Sequence, residues 1–250
     1  MSATGVVGDS PLFAVDYLMR FMRVALLLAI WRALFRNRPE VSGLPLAAVL
    51  TYTLIGEVFA EPLSGYSGLT EAFWDGTISS RFLRPLNLFG QFAAEAAGLW
   101  MFNLMLFSVP LLCCAPLFGV SALPASPAAG MLFLISLALG ISVGLSMDYM
   151  AGAAAVLMEM PPYMVDSARR AVGGVLSGAI IPFTLMPWSL GKALMWTPFA
   201  ALGSAPLQIY IGRGNTVQLL GMQLVWSIIL WPVATWLWSV SREKMVTYGG

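Results

Sequence analysis

Apolar residues in this chain come in runs of about twenty, and charged positions fall between the runs instead of recurring every three or four residues. A helix on a soluble protein keeps one apolar stripe and one polar face. A run that is apolar all round and roughly 20 residues long instead has the length needed to cross the hydrocarbon of a bilayer. The pattern predicts an all-α integral membrane protein of six spans, at about 13–35, 43–60, 88–118, 128–158, 171–190 and 216–240, within a single membrane domain covering 1–250.

The runs differ in character. The first is interrupted by Asp16, Arg20 and Arg23 near its start and by Arg32 near its end. At about 100° per residue the first three fall on one narrow face, so Met1 to Met22 either contribute an N-terminal amphipathic helix lying at the interface or belong to one tilted helix whose arginines snorkel. In the third run Pro110 and Pro116 are expected to kink or end the helix. Between Lys192 and Arg213 the sequence is uncharged but holds Pro198, Gly203, Ser204 and Pro206, which predicts a re-entrant or broken segment at 191–213. Such backbone is tolerated at membrane depth only where protein or water satisfies it. The last run is rich in tryptophan near its C-terminal end, as an interfacial belt is.

Composition agrees with the pattern: 59% of residues are hydrophobic and 10% charged, with mean hydropathy +0.81, where soluble domains carry about 25% charged residues. Thirteen basic against twelve acidic residues leave no basic face for nucleic acid. The absence of histidine removes the commonest general base and metal ligand. Cys113 and Cys114 are adjacent, closer than the usual disulfide range, and read as two small hydrophobes. Met1 to Ser10 lack the basic residues of a signal peptide and carry Asp9, so the first span is expected to be retained. With six spans and both termini cytoplasmic, Arg20, Arg23, Arg81, Arg84, Arg169, Arg170, Arg242 and Lys244 lie inside and Arg32, Arg36, Arg38, Lys192 and Arg213 outside, which leans toward that orientation in the cell inner (plasma) membrane.

Two sets of residues are candidates for function. The loop at 61–87 is the longest on the expected cytoplasmic side and mixes acids, aromatics and arginines. Phe73, Trp74, Ile78, Phe82 and Leu83 suit a short amphipathic helix, with Asp75, Arg81 and Arg84 open to a partner, since interfaces favour aromatic and arginine anchors. The same composition also suits a helix resting on lipid head groups. The second set is Glu57, Glu95 and Asp148, in or near spans, where ionisable groups are expensive and often functional. They are neutral, paired with a charge elsewhere, or facing a watery route; Glu57 and Glu95 lie near enough to the interface to be solvated instead. Asp148, followed by Tyr149, is the best pathway candidate, and Trp100 in the third span joins the set. A cationic, partly apolar substrate suits such a surface. Gly140-xxx-Gly144 and Gly174-xxx-Gly178 have the spacing of close helix approach. No Gly-xxxx-Gly-Lys-Ser/Thr loop occurs, so nucleotide chemistry, if used, belongs to another chain. Without histidine or a paired aspartate on facing spans, no catalytic or metal-binding residue is assigned.

Four stretches together resemble the permease subunits of the ABC-2 exporter superfamily, in the small group that includes daunorubicin-type and viologen-type exporters. They are Leu-Ala-Ile-Trp-Arg-Ala-Leu at 28–34; Asp-Gly-Thr-Ile-Ser-Ser-Arg-Phe-Leu-Arg-Pro-Leu at 75–86, which looks like the group's "G-x-I … L-L-R-P" cytoplasmic signature; Leu-Ser-Gly-Ala-Ile-Ile-Pro-Phe-Thr-Leu-Met-Pro at 176–187, leading into 197–199 and 205–212; and the tryptophan-rich final helix ending Tyr248-Gly249-Gly250. Phe82 stands where the group often has leucine. The resemblance implies a six-span permease paired with an identical or related permease and driven by two cytoplasmic ABC ATPase subunits, which bind ATP and Mg while this chain binds no cofactor. It implies a coupling helix within Gly76 to Pro85; with the flanking residues the candidate set is Glu71, Phe73, Trp74, Asp75, Gly76, Ile78, Arg81, Phe82, Arg84 and Pro85. Export of a lipophilic compound, as in multidrug efflux, is the implied activity. The competing readings are an ion-coupled secondary transporter using the three carboxylates, a membrane scaffold, and a membrane-embedded enzyme, the last disfavoured by the absence of histidine.

Overall fold

In the computed structural model, which describes residues 11–249, the chain is almost wholly helical. Helices satisfy their own backbone groups, the condition hydrocarbon imposes. Helix α1 (Pro11–Leu34) is one 24-residue helix, about 36 Å long at 1.5 Å per residue. From Pro11 onward there is no break between an interfacial piece and a span; residues 1–10 lie outside the described part. Val24, Leu28 and Trp31 of α1, with Phe35 after it, point into the protein, while Leu18, Met22, Leu26 and Ile30 are exposed. Apolar side chains on both faces suit a helix with protein on one side and lipid on the other.

A small antiparallel hairpin, β1 (Glu40–Val41) and β2 (Leu44–Pro45), leads into α2 (Leu46–Val58). Three short helices follow: α3 (Ala60–Ser64), α4 (Leu69–Trp74) and α5 (Ile78–Arg81). Helix α6 (Leu88–Asn103) then runs through a π-helical turn at Leu104–Ser108 into α7 (Val109–Cys113). Pro110 donates no hydrogen bond and its ring opposes the carbonyl four residues back, and the wider turn just before it absorbs that conflict. The expected span at 88–118 is thus helical to Cys113 and closes in a 3-10 turn at Ala115–Phe118.

Helices α8 (Pro127–Leu157) and α13 (Thr216–Gly249) are the longest and lie side by side. Polar side chains tie them along their length. Ser136 Oγ donates to Gln223 Oε1 at 2.7 Å, Gln223 Nε2 donates back to Ser136 O at 3.0 Å, Trp231 Nε1 donates to Ser142 Oγ at 2.8 Å, and Ser241 Oγ donates to Ala153 O at 3.2 Å. In lipid no hydrophobic force separates helix from tail, so such bonds and close packing carry the association. Among the described residues, Leu88–Cys113, Pro127–Leu157 and Thr216–Lys244 are the three helices long and apolar enough to cross a membrane.

The fifth region differs from the expected span at 171–190. Helix α9 runs from Pro162 to Leu176 and stops at Ser177 and Gly178, the latter in the left-handed region at φ +71°. Pro162 favours the early start, because a helix's first residue needs no donor. Pro182 and Pro187 prevent continuation, leaving 3-10 turns at Phe183–Leu185 and Pro187–Ser189. Three short helices, α10 (Leu190–Leu194), α11 (Pro198–Leu202) and α12 (Ser204–Tyr210), complete the return, and residues 200–210 are buried without exception. Their backbone is met by protein: Ser204 N–H donates to Ser177 O at 2.8 Å and Tyr52 Oη donates to Gly178 O at 2.6 Å.

Candidate functional site

Along α8, Gly140, Gly144, Asp148 and Gly152 recur every four residues and therefore share one face. Each glycine admits a close neighbour. A Cβ on Gly140 would lie 2.8 Å from Ala201 O, one on Gly144 2.7 Å from Gly65 Cα, and one on Gly152 2.8 Å from Leu69 Cδ2. The Gly140-xxx-Gly144 pair thus receives the broken segment and the turn between α3 and α4 within the same chain. Gly174, by contrast, has open space where a side chain would stand, and Gly178 lies against the Phe183 ring.

Asp148, the polar member of that face, is wholly buried. Its Oδ2 accepts from Ser67 N at 3.0 Å and from Ser67 Oγ, and its Oδ1 lies 2.9 Å from Arg169 Nη2. Arg169 also donates through Nη1 to Ser64 O at 3.1 Å and stands 3.5 Å from Asp166. Asp166 pairs in turn with Arg170, whose guanidinium lies 4.9 Å from the centre of the Tyr66 ring. Tyr66 Oη donates to Glu71 Oε2 at 3.2 Å. Burial first, and then the Glu71 carboxylate, holds the Tyr66 phenol well above its ordinary range, so it stays a donor at physiological pH. One connected network therefore ties the 64–71 turn to α8 and α9.

The other two carboxylates also have arginine partners: Glu57 with Arg23 at 3.0 Å and Glu95 with Arg81 at 2.7 Å. Of the three states open to these acids, the structure has pairing with a charge from elsewhere in the chain. Tyr149 is buried in an aromatic group with Phe89 and Trp231 and donates to Phe89 O at 2.8 Å, and Trp100 is buried in the same apolar cluster. Of the five pathway candidates Glu57 lines two cavities. One, of about 190 Å³, lies between α2, α8, α9 and the broken segment, and its wall includes Arg23, Glu57, Ser64, Arg169, Arg170, Gly173, Gly174 and Ser177 beside apolar Leu63, Met147, Ile180, Phe199 and Leu202. A second, of about 370 Å³, lies across the Arg23–Glu57 pair and is bounded by α1 and by Phe107 and Leu111.

The 61–87 loop splits into anchors and a tip. Phe73 is half-buried with its ring 5.8 Å from Trp238, Ile78 is buried, and Arg81 is held by Glu95 and lies 4.3 Å from the Phe92 ring centre. Asp75, Gly76, Phe82, Leu83, Arg84 and Pro85 are exposed, Leu83 at 86%. Gly76 takes φ +69°, which lets the chain turn between α4 and α5. The Trp74 side chain lies outside the described residues. Arg23, Arg169, Arg170, Ser67 and Gly65 were not among the sequence candidates. The signal for the arginines was the Asp166/Arg169/Arg170 spacing, which puts an acid and two bases on one helical face.

Among the described residues, ion pairs join α1 to α2 and α3 (Arg23–Glu57, and Arg20–Glu61 at 3.3 Å), α5 to α6 (Arg81–Glu95), α8 to α9 (Asp148–Arg169) and α13 to the turn after α8 (Lys244–Glu159 at 2.7 Å). No curated protein and no solved structure matches this chain. Residues 21–249 match the family described as ABC-2 family transporter protein. With that match over nearly the whole length of a helical, lipid-suited chain, the protein belongs to the ABC-2 transporter family: a multi-pass membrane permease subunit, not itself catalytic, of a family that normally works with ABC ATPase subunits.

Proposed function

We propose that this chain is the permease of an ATP-driven exporter in the cell inner membrane, with both termini cytoplasmic, moving a lipophilic compound outward. Two ATPase subunits bind ATP and Mg, and a second permease, identical or related, completes the membrane unit. The observation that carries this reading is the 61–87 loop: Asp75, Gly76 and Phe82 to Pro85 form an exposed tip while its base is fastened through Ser67 and Ser64 to Asp148 and Arg169. A push on the tip is delivered to α8 and α9 through a buried ionic joint instead of being lost in a slack loop. Transport is then a shift between two packings of these helices, biased by nucleotide in the partner.

The coupling role falls to the tip residues Asp75, Gly76, Phe82, Arg84 and Pro85, while Phe73, Ile78 and Arg81 hold the tip in place and Glu71 joins the Tyr66 contact. With an arginine beside each of Glu57, Glu95 and Asp148, these acids give no preference for a cationic substrate. An ion-coupled carrier built on the same acids loses support for the same reason.

The test is purification of the tagged full-length chain in mild detergent from its native host, with mass spectrometry of co-purifying proteins. A P-loop ATPase at about one copy per permease is the expected result. An intact permease that brings down no ATPase overturns the proposal.

A further inference from the structure

The 190 Å³ cavity has a divided wall. Arg23, Arg169 and Arg170 bring three guanidinium groups to it, and Glu57 brings its one acidic side chain. The acids that balance the other two arginines, Asp148 and Asp166, are buried behind them and do not line the space. The network as a whole is neutral, yet the surface it offers is cationic. Arg169 is nine-tenths buried, and its Nε, like Asp148 Oδ1 and Asp166 Oδ1, lies without a hydrogen-bond partner and almost without accessible surface, so the charge a ligand meets directly is that of Arg23 and Arg170, 57% and 55% exposed. An oxyanion is the natural partner for a guanidinium fork. The opposite side of the cavity is apolar, with Met147, Ile180, Phe199 and Leu202. Gly173 and Gly174 keep the α9 side open, since a Cβ at either would meet no atom within 4 Å.

We propose that this cavity binds the acidic head group, phosphate or carboxylate, of an anionic amphiphile whose chain lies along the apolar side. This rests on the reading of the chain as a permease and names the class of its ligand. The size agrees: pockets that enclose whole drug-sized ligands run about 300–1,000 Å³, so this space takes a head group and the first carbons of a chain, and the remainder extends toward lipid. The Arg23–Glu57 pair stands between this cavity and the second one, so an arriving anion competes with Glu57 for Arg23.

The experiment titrates the purified full-length chain, in neutral detergent without nucleotide or partner, with dodecyl phosphate, dodecyltrimethylammonium or inorganic phosphate, reading thermal unfolding by tryptophan fluorescence and bound mass by native mass spectrometry. Dodecyl phosphate is expected to bind saturably, and the ammonium compound and free phosphate not to bind in the same range. Arg170→Gln weakens binding by about tenfold, the size of one lost charge-assisted hydrogen bond. Glu57→Gln tightens it, and Gly174→Leu abolishes it while leaving the unliganded protein as stable as before. Binding of the ammonium compound in the same range, or affinity for dodecyl phosphate unmoved by both Arg170→Gln and Gly174→Leu, overturns the proposal. Free phosphate binding as tightly overturns the amphiphile. Displacement by phosphatidylglycerol in nanodiscs, and not by phosphatidylcholine, identifies a membrane lipid as the source; no displacement by either identifies a dissolved amphiphile. Because neither ATP nor ATPase is present, failure here leaves the permease reading standing, and failure to find an ATPase leaves this binding result standing.

Discussion

Replacing Asp148 by alanine removes the centre of the joint between the 64–71 turn, α8 and α9. The loss comprises the 2.9 Å ion pair to Arg169 and two hydrogen bonds from Ser67, and it leaves a nine-tenths buried guanidinium behind. Breaking one side of a buried pair costs about 3–5 kcal/mol. Asp166 at 3.5 Å and Ser64 O at 3.1 Å still face Arg169 and hold the cost near the lower end, about 3 kcal/mol. For a chain of this size about 3 kcal/mol corresponds to a fall of roughly 6–12 °C in the midpoint of thermal unfolding. Asp148→Asn keeps an acceptor for Ser67 and falls less. Arg169→Met in the Asp148→Ala background removes the stranded charge, and replacing both members of a buried pair by apolar groups is often nearly neutral, so most of the loss returns. The assay is thermal unfolding, followed by tryptophan fluorescence, of five detergent-purified proteins: Asp148→Asn, and the parent, Asp148→Ala, Arg169→Met and double variant that make up a double-mutant cycle. A double variant as unstable as the sum of its singles, or an Asp148→Ala protein within 1 °C of the parent, refutes the joint.

Other consequences are open to measurement. Gly144→Val sets a side chain against Gly65 Cα, backbone that cannot yield, and overpacking of this kind costs about 1–3 kcal/mol; the midpoint of thermal unfolding should fall, and an unchanged midpoint would show that the approach is slack. Phe73→Ala with Trp74→Ala should uncouple ATP hydrolysis from substrate while the spans stay folded, and retained substrate stimulation of the ATPase contradicts this. Lys244 holds the Glu159 carboxylate below its ordinary range. A lowered folded-state value means the contact is present above the usual carboxylate pKa and is lost as pH falls through the lowered value, so the protection factors of amides near Ser241 to Lys244, corrected for the intrinsic pH dependence of exchange, should fall on acidification in the parent and not in Glu159→Gln.

The three helices that, among the described residues, are long and apolar enough to cross a membrane are legible because their signal is local: a continuous apolar run has one outcome in lipid whatever surrounds it. Pro127–Leu157 and Thr216 onward follow directly from such runs. In the fifth region the apolar residues of 171–190 suggest a span, while the structure starts α9 in the charged stretch before it and breaks the chain at Gly178, Pro182 and Pro187. The charges of α9 are met by Asp166 within the helix and by Asp148 on another helix, and the second partner is a fact that no window along the chain contains. The same holds for the carboxylates. Asp148 stood out by its depth in a run, but its partner Arg169 lies on another helix and Ser67 in a turn far upstream. Of the stripe Gly140, Gly144, Asp148, Gly152, the first two stand out in the sequence as a small-residue pair; that Asp148 and Gly152 continue it, and what it accommodates, comes only from the packing. In the 61–87 loop the mixture of aromatics and charges was readable; which of them anchor and which point outward depends on Trp238, Phe92 and Glu95 from other elements.

The central claim is that the exposed tip of this loop meets an ATPase. A photo-crosslinking amino acid placed at Leu83, the most exposed apolar residue of the tip, and irradiated in the native host yields an adduct that mass spectrometry can identify. A covalent link to a P-loop ATPase is expected, with no such link when the same group is placed at Leu117, which is equally exposed beyond the end of α7. Equal labelling of lipid alone from both positions, in cells where the ATPase is expressed, would contradict it.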